Sequence, residues 1–107
     1  MASTLADKNH IIYELTNKIT REKYVGLTVC VVRNGVDCLE ETLAARWCRH
    51  KGRAFNQDKG WKLCESIRTY GAEAFKKRIL KVVAGKAKAH QVETKLKKSG
   101  KYTLNTV

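Results

Sequence analysis

The chain has 107 residues, enough for one domain with a single modest core and too few for a second module. Its composition, 43% hydrophobic and 30% charged, is typical of a folded globular protein and excludes a disordered or membrane-embedded one. The 22 lysines and arginines exceed the 10 aspartates and glutamates by 12, an excess that favours a polyanionic partner, with nucleic acid ahead of an anionic membrane surface.

The first residues lack the basic-then-apolar order of a signal peptide, and no apolar run approaches the length of a bilayer span. We therefore expect a cytoplasmic protein without membrane association, in which a loose leader over 1–9 precedes a single domain over 10–107. Intervals of 7, 9 and 15 residues separate the four cysteines, and no paired zinc-ligand spacing matches them. Reduced, mostly structural thiols are expected at Cys30, Cys38, Cys48 and Cys64.

The stretch "IIYELTNKITREKYVG" contains two short apolar runs around a polar turn, a pattern that predicts a β-hairpin with strands at 10–16 and 23–29. In the second strand, apolar residues alternate with Tyr24, Gly26 and Thr28, so Tyr24 should face away from the aliphatic side. The next stretch, "CVVRNGVDC", contains the turn dipeptide Asn34-Gly35 and indicates either a second small hairpin or a protruding loop.

Three helices and a third strand complete the predicted elements. Asp37 and Glu40 resemble a capping box for a first helix over 38–51, with Gly52 as its stop. Asp58 is a candidate cap for a second helix that ends at Gly71.

The stretch "AFKKRILKVV" then predicts a buried third strand, and a third helix over 84–99 aligns Ala89, Val92 and Leu96 on one stripe. The final "KYTLNTV" is expected to be extended. Together these elements predict an α+β fold, a small three-stranded antiparallel sheet flanked by about three helices.

Five short pieces of the chain, taken in order, resemble the motifs of the GIY-YIG nuclease family. They are the strand pair "IIY" and "YVG", the helical "ARWCRH", the helix-to-strand segment "SIRTYGAEAFKKRIL", the helical "VETKL" and the terminal "GKYTLNT". Each piece is weak alone, but their order over residues 10–106 makes the set far more specific. The resemblance implies a metal-dependent DNA endonuclease of bacterial or phage-infected cells.

The resemblance also implies a set of site residues, position by position. They are the tyrosine pair Tyr13 and Tyr24, the helix arginine Arg46, the auxiliary His50, the Mg²⁺ or Mn²⁺ ligand Glu93, and a loosely matched Asn105. Phosphodiester hydrolysis needs an activated water and a cation to offset developing charge, and a guanidinium can fork onto phosphate oxygens. Tyrosine is a poor base, so we expect Tyr13 to accept the water's proton while Tyr24 orients that water.

Basic residues on and after the first helix are expected to position the DNA backbone: Arg49, Lys51 and Arg53, with Arg33 touching DNA from the 30–38 loop. Two positions depart from the family pattern. Ile11 stands where the family has glycine, and Thr103 stands where it has asparagine, with Asn105 two residues later. Specificity is then expected from a homodimer, the 30–38 loop, DNA structure or a separate partner protein, and the sequence leaves these open.

Each candidate residue also has an ordinary structural interpretation. A tyrosine pair across a hairpin usually packs, and Arg46 with His50 on one helix face is usually a solvated pair. Glu93 lies among lysines and is ordinarily an ion-pair partner, while His10 and His90 are most simply surface residues. The alternative function is therefore a catalytically inactive basic nucleic-acid-binding module, and RNA fits the charge as well as DNA does.

Overall fold

The computed structural model describes residues 8–56 and 61–105 and confirms the α+β prediction. Strands β1 and β2 and a later strand β5 form a three-stranded antiparallel sheet, and a short hairpin, β3 with β4, stands apart from it. The strands are β1 (Asn9–Asn17), β2 (Lys23–Val29), β3 (Val32–Arg33), β4 (Val36–Asp37) and β5 (Phe75–Ala84). The α-helices of the described part are α1 (Leu39–Asn56), α2 (Lys62–Tyr70) and α3 (Lys86–Lys97), and a 3-10 turn over Ala72–Ala74 precedes β5.

The sheet order is β2-β1-β5, so β1 is central and is buried on both faces. Ile11, Tyr13 and Leu15 point to one side, where buried residues of α1 and α2 cover them. We call this side the tyrosine face. Ile12 points to the other side with Val25, where α3 packs; we call it the aliphatic face. Alternation along one strand thus supplies two small cores.

Several expectations from the sequence are confirmed in detail. Tyr24 packs on the tyrosine face and Val25 on the aliphatic face, and the α3 stripe of Ala89, Val92 and Leu96 lies in the core of the aliphatic face. The stretch at 30–38 is a hairpin rather than a loop, with Asn34 and Gly35 both at positive φ, as a tight turn requires.

The end of the first helix was predicted wrongly. Gly52 lies inside α1, which continues to Asn56. The last turn buries Ala54, and Arg68 of α2 donates a hydrogen bond to the Ala54 carbonyl at 3.0 Å. These contacts outweigh the helix cost of a glycine, about 1 kcal/mol. Asp37 does not cap the helix, because it lies in β4 and accepts a hydrogen bond from Asn9.

Two predictions about the later part of the chain were also wrong. The third strand was expected to be buried, but β5 is an edge strand and most of its residues are partly or fully exposed. The terminal stretch was expected to be extended, whereas Thr103 and Leu104 form a turn that buries Tyr102 and Leu104. Sheet position and tertiary packing decide both outcomes, and neither is visible in a local pattern.

Smaller differences occur at the ends of elements. Asn9 of the expected leader already pairs with Ala84 in the sheet, while residues 1–7 lie outside the described residues, as does the predicted cap Asp58. His10 is buried rather than on the surface, and its Nδ1 lies 2.9 Å from the Lys8 carbonyl oxygen; His90 is exposed as expected.

All four cysteines are free thiols. No helix within residues 8–56 and 61–105 is long and apolar enough to cross a membrane.

Candidate active site

Tyr13 lies flat against β2 because the residue opposite it has no side chain. The register pairs Tyr13 directly with Gly26. A Cβ on Gly26 would lie 2.5 Å from the Tyr13 hydroxyl oxygen and 2.9 Å from Cε1 of Tyr24, closer than real Cβ atoms approach. The glycine of "YVG" is therefore required for close approach of two tyrosine rings to the backbone.

A β-bulge falls at the same point of the sheet. The pairing of β1 with β5 shifts between Ile12 and Tyr13, so one residue of β5 has no opposite partner there. Bulges change the direction of side chains and are common beside functional sites. The strand geometry at Tyr13 is thus unusual on both of its edges.

Helix α1 brings two polar side chains to the Tyr13 hydroxyl. Nε2 of His50 lies 2.8 Å from the hydroxyl oxygen, and Nε of Arg46 donates to it at 3.3 Å. The four-residue spacing of Arg46 and His50 on α1 places both on one helix face. Tyr24 completes the group, with its ring edge-on to His50 at a centroid distance of 5.2 Å. We call these four residues the tyrosine cluster.

The centre of the cluster is held out of water. Tyr13 is 0% exposed and His50 is 2% exposed, whereas Tyr24 and Arg46 are half-buried. Burial raises the pKa of Tyr13, and its contacts with Arg46 and Tyr24 oppose that rise without cancelling it. Burial also raises the pKa of Tyr24, so both phenols are neutral at pH 7.

The hydrogen bonds of the cluster centre on the Tyr13 hydroxyl. Arg46 can only donate, so the hydroxyl oxygen accepts from its Nε. The hydroxyl and Nε2 of His50 share one hydrogen bond, in which the donor depends on the tautomer of the imidazole. Nδ1 of His50 is buried and finds no hydrogen-bond partner in the described structure.

His50 is a neutral imidazole in this environment. Burial, followed by the charges of Arg46 and Arg53, lowers the pKa of His50 to about 3. A buried polar atom without a partner costs about 1–3 kcal/mol, and such atoms in native proteins call for an explanation such as a catalytic role.

Glu93 approaches the cluster from α3. Its carboxylate raises the pKa of both Tyr13 and Tyr24, so it lies within electrostatic range of the two phenols. Its nearest cation is Lys97, one turn along the helix, at 3.6 Å. Glu93 is therefore an ion-pair partner, as its ordinary structural interpretation predicts.

The donor set available to a divalent metal is small. Within residues 8–56 and 61–105, no group of three or more histidine, cysteine, aspartate or glutamate side chains could hold a metal ion. A divalent ion at Glu93 would take its other ligands from water and substrate phosphate oxygens. Mg²⁺ accepts such a set, since it commonly binds through one or two carboxylates and keeps several waters.

A small cleft of about 170 Å³ opens beside the cluster. It is bounded by Tyr24 and His50, by Arg53 and Trp61 across the α1–α2 junction, and by Lys97. The Arg53 guanidinium lies 5.5 Å from the centroid of the Trp61 ring, which is 41% exposed. Trp47 is buried in the core of the tyrosine face, whereas Trp61 lies on the cleft wall.

Asn105 borders the same cleft but is engaged in a structural contact. Its side-chain amide donates to the Val25 carbonyl at 2.8 Å and accepts from the Val25 N–H at 2.9 Å. The side chain thus imitates a paired strand along the edge of β2 and anchors the C-terminal segment there. Thr103 is directed elsewhere, toward Glu22 at 3.4 Å.

The four predicted DNA-contacting residues have different surroundings. Arg33 is exposed, but its guanidinium forms a bidentate ion pair with the Glu41 carboxylate. Arg49 is exposed and lines a shallow groove together with Arg46, Lys51 is half-buried, and Arg53 faces the cleft.

One residue of this region, Gly26, was not identified in the sequence as a contributor to the site. It allows the Tyr13 ring to approach β2, and the strand alternation that pairs the two positions was the available signal. Lys97 is one of the lysines around Glu93 that the sequence offered as ion-pair partners, and it forms that ion pair.

Comparison of this chain with protein-family models, with curated proteins and with solved structures finds no significant match.

Proposed function

We propose that this chain is a metal-dependent endonuclease of the GIY-YIG type that hydrolyses phosphodiester bonds in DNA, acting in the cytoplasm of a bacterium or phage-infected cell. One observation carries the proposal. Tyr13, Tyr24, Arg46 and His50 come from three elements and meet around one hydroxyl group, with Glu93 of a fourth element in electrostatic range. Convergence of these residue types is unusual for an ordinary core, which excludes charged groups.

The proposed roles of the tyrosines follow from their exposure. Tyr24 lines the cleft, while Tyr13 has no solvent-accessible surface. Tyr24 is therefore the residue that contacts the attacking water, and Tyr13 orients Tyr24 from behind. This division reverses the roles expected from the sequence. Because both phenols start neutral, neither takes up a further proton. Tyr24 orients the attacking water by accepting a hydrogen bond from it, Arg46 supplies positive charge beside the tyrosine pair, and the proton of the water passes to solvent or to a phosphate oxygen.

Glu93 is the residue that would hold Mg²⁺ or Mn²⁺ in this proposal. When bound, such an ion supplies positive charge at the phosphate oxygens. The chain's own contribution is positional: Lys97 forms an ion pair with the carboxylate at 3.6 Å and orients it on α3. Arg53 on the cleft wall, with Arg49 and Lys51 on the same helix, supplies further positive charge for the DNA backbone, and Arg33 does so only by leaving Glu41.

The second candidate function is a nucleic-acid-binding module without hydrolytic activity. Two contacts favour it: Tyr13 is fully enclosed by its own partners, and Glu93 already has Lys97 as a counter-ion. The net charge of +12 supports both functions equally.

A cleavage assay separates the two functions. Purified protein is incubated with supercoiled plasmid in Mg²⁺, in Mn²⁺ and in EDTA, beside the variants Glu93→Gln and Glu65→Gln. Glu65 is an exposed carboxylate on α2, outside the cluster, so its variant controls for the loss of one negative charge. The proposal predicts metal-dependent nicking or linearisation that is lost in Glu93→Gln and kept in Glu65→Gln.

Retention of full cleavage by Glu93→Gln would contradict the assigned metal ligand. Absence of cleavage of plasmid, branched DNA and RNA by the unchanged protein, with binding retained, would favour the binding module. Light scattering of the protein with and without DNA tests whether a homodimer forms.

A further inference from the structure

The aliphatic face of the sheet is only partly covered. Helix α3 packs over Ile12, Val25 and Val83. No residue of α3 lines the part of this face that contains the C-terminal half of β1. That part is an open trough of about 580 Å³. We call it the basic trough, and its lining residues are Glu14, Thr16, Lys18, Arg21, Lys23, Lys76 and Arg78.

The positive charge of the trough is mostly uncompensated. Its single carboxylate, Glu14, is buried and accepts hydrogen bonds from Arg78 at 3.2 Å and from the Tyr102 hydroxyl at 3.0 Å. Lys23 lies 3.8 Å from the same carboxylate. In the part of the chain that the structure describes, no acidic side chain forms an ion pair with Lys18, Arg21 or Lys76.

Sheet geometry fixes how these cations are spaced. Lys23 and Lys76 flank Thr16 on the two neighbouring strands, which sets their Cα atoms about 9–10 Å apart. Arg78 follows Lys76 on the same side of β5, about 7 Å further along. The cations therefore stand on strand backbone rather than on flexible tails.

The turn between β1 and β2 adds the remaining two cations. Arg21 adopts φ 68°, a left-handed conformation that is uncommon for residues other than glycine. Buried Asn17 holds this turn: its Oδ1 accepts from the Ile19 N–H at 2.9 Å, and its carbonyl accepts from the Arg21 N–H at 2.8 Å. Backbone strain that is maintained in this way is characteristic of functional segments.

We propose that the basic trough is a binding site for the phosphodiester backbone of nucleic acid, separate from the tyrosine cluster. Every lining side chain is charged or carries a hydroxyl. The trough therefore has cations and a hydroxyl donor for phosphate oxygens, but it has no aromatic ring on which a base could stack. Binding there is independent of sequence. An anionic membrane is a poorer match, because no apolar side chain lines the trough to enter the bilayer.

The trough and the tyrosine cluster lie on opposite faces of the sheet, since Tyr13 and Glu14 are consecutive residues of β1. The trough is therefore expected to hold a different nucleic-acid segment from the one at the cleft. The inference does not depend on hydrolysis, because backbone binding is expected of an active nuclease and of an inactive binding module alike.

The test compares two triple variants that remove the same charge. Lys18→Gln, Arg21→Gln and Lys76→Gln alter the trough at exposed positions and leave Arg78 and Lys23 on Glu14. Lys86→Gln, Lys88→Gln and Lys101→Gln form the control, at exposed positions outside the trough and the cleft. Affinity for a short labelled duplex is measured in EDTA over a range of salt concentrations, and thermal unfolding verifies that all proteins fold.

The trough variant is expected to bind about 100-fold more weakly at roughly 0.1 M salt, with a salt slope reduced by about 2.7, because each lost phosphate contact removes about 0.9. The control variant should keep most of its affinity. Equal losses in both variants, or unchanged binding by the trough variant, would overturn the proposal.

Two further measurements remove the remaining ambiguity. If vesicles of phosphatidylserine and phosphatidylcholine bind through the trough while DNA does not, the site is a membrane surface and the proposal is wrong. Plasmid cleavage by Glu93→Gln reports only on the nuclease proposal, because that residue lies outside the trough. A failure of either proposal is thus recognised separately.

Discussion

The two faces of strand β1 use polar residues in opposite ways. Tyr13 points into a closed cluster in which His50 and Arg46 meet its hydroxyl, and burial leaves both phenols and the imidazole neutral. The next residue, Glu14, points into the basic trough, where the surrounding cations are largely exposed. The tyrosine face holds neutral groups in fixed contacts, whereas the trough holds exposed positive charges.

This difference has a physical cause. Helices α1 and α2 cover the tyrosine face, and desolvation there penalises every charged form. On the aliphatic face α3 stops short of the trough, so water stabilises the lysines and arginines without neutralising them. A closed polar cluster suits positioned chemistry, whereas an open basic surface suits attraction of a polyanion. The following predictions change one face and leave the other as the reference.

The largest effect is expected at the centre of the tyrosine cluster. Under the nuclease proposal, Tyr13→Phe removes the hydroxyl that joins Tyr24, Arg46 and His50, and cleavage should fall by about 100-fold or more. DNA binding in EDTA should not change, because the trough is intact. Tyr70→Phe, at an exposed tyrosine of α2, is the control for loss of a hydroxyl. Full activity of Tyr13→Phe would show that cleavage does not need the Tyr13 hydroxyl.

The second-largest effect is expected on the free energy of unfolding, at Gly26. Gly26→Ala places a Cβ against the Tyr13 and Tyr24 rings, so unfolding free energy should fall by about 1–3 kcal/mol. Gly52→Ala is the matched control, because Gly52 is helical and a Cβ there meets nothing within 4 Å; it should gain about 0.5–1 kcal/mol. Urea unfolding measures both changes. Equal effects in the two variants would refute the close-approach role of Gly26.

The tyrosine face should also make stability depend on pH. His50 has a pKa of about 3 when folded and an ordinary value of 6.5 when unfolded. The unfolded chain therefore binds one more proton between these values, and stability falls as pH decreases through this window. The slope contributed by His50 is at most about 1.4 kcal/mol per pH unit.

Urea unfolding at several pH values from neutral to about 4, compared with His50→Gln, isolates this contribution from that of the carboxylates. The variant should have a shallower dependence on pH. An identical dependence in both proteins would show that the imidazole is not buried in its neutral form.

The smallest effect is expected on the trough face. Glu14→Gln keeps an acceptor for Tyr102 but frees Arg78 and Lys23 from their counter-ion. Affinity for duplex DNA should rise several-fold, with a salt slope steeper by about 0.9. Glu65→Gln, at an exposed position of α2 on the tyrosine face, changes net charge equally and should have little effect. Weaker binding by Glu14→Gln would mean that the carboxylate itself organises the site.

Local patterns in the chain predicted much of the architecture. Alternation placed Tyr24 and Val25 on opposite faces, Asn34-Gly35 marked a tight turn, and the apolar spacing of α3 identified its packed stripe. These features depend on a few neighbouring residues, which is why they can be read before the fold is known. The net charge, likewise, follows from composition alone.

Contacts between distant residues decided the rest. The contact of Ala54 with α2 explains why α1 continues beyond Gly52. Strand β5 is exposed because it lies at the edge of the sheet, although its apolar run predicted a buried strand. The same holds for function: the candidate tyrosines and arginine were visible in sequence, but the enclosure of Tyr13 was not. Nor was the basic trough, because its cations converge from two strands and a turn only when β1 pairs with both neighbours, and no local pattern encodes that pairing.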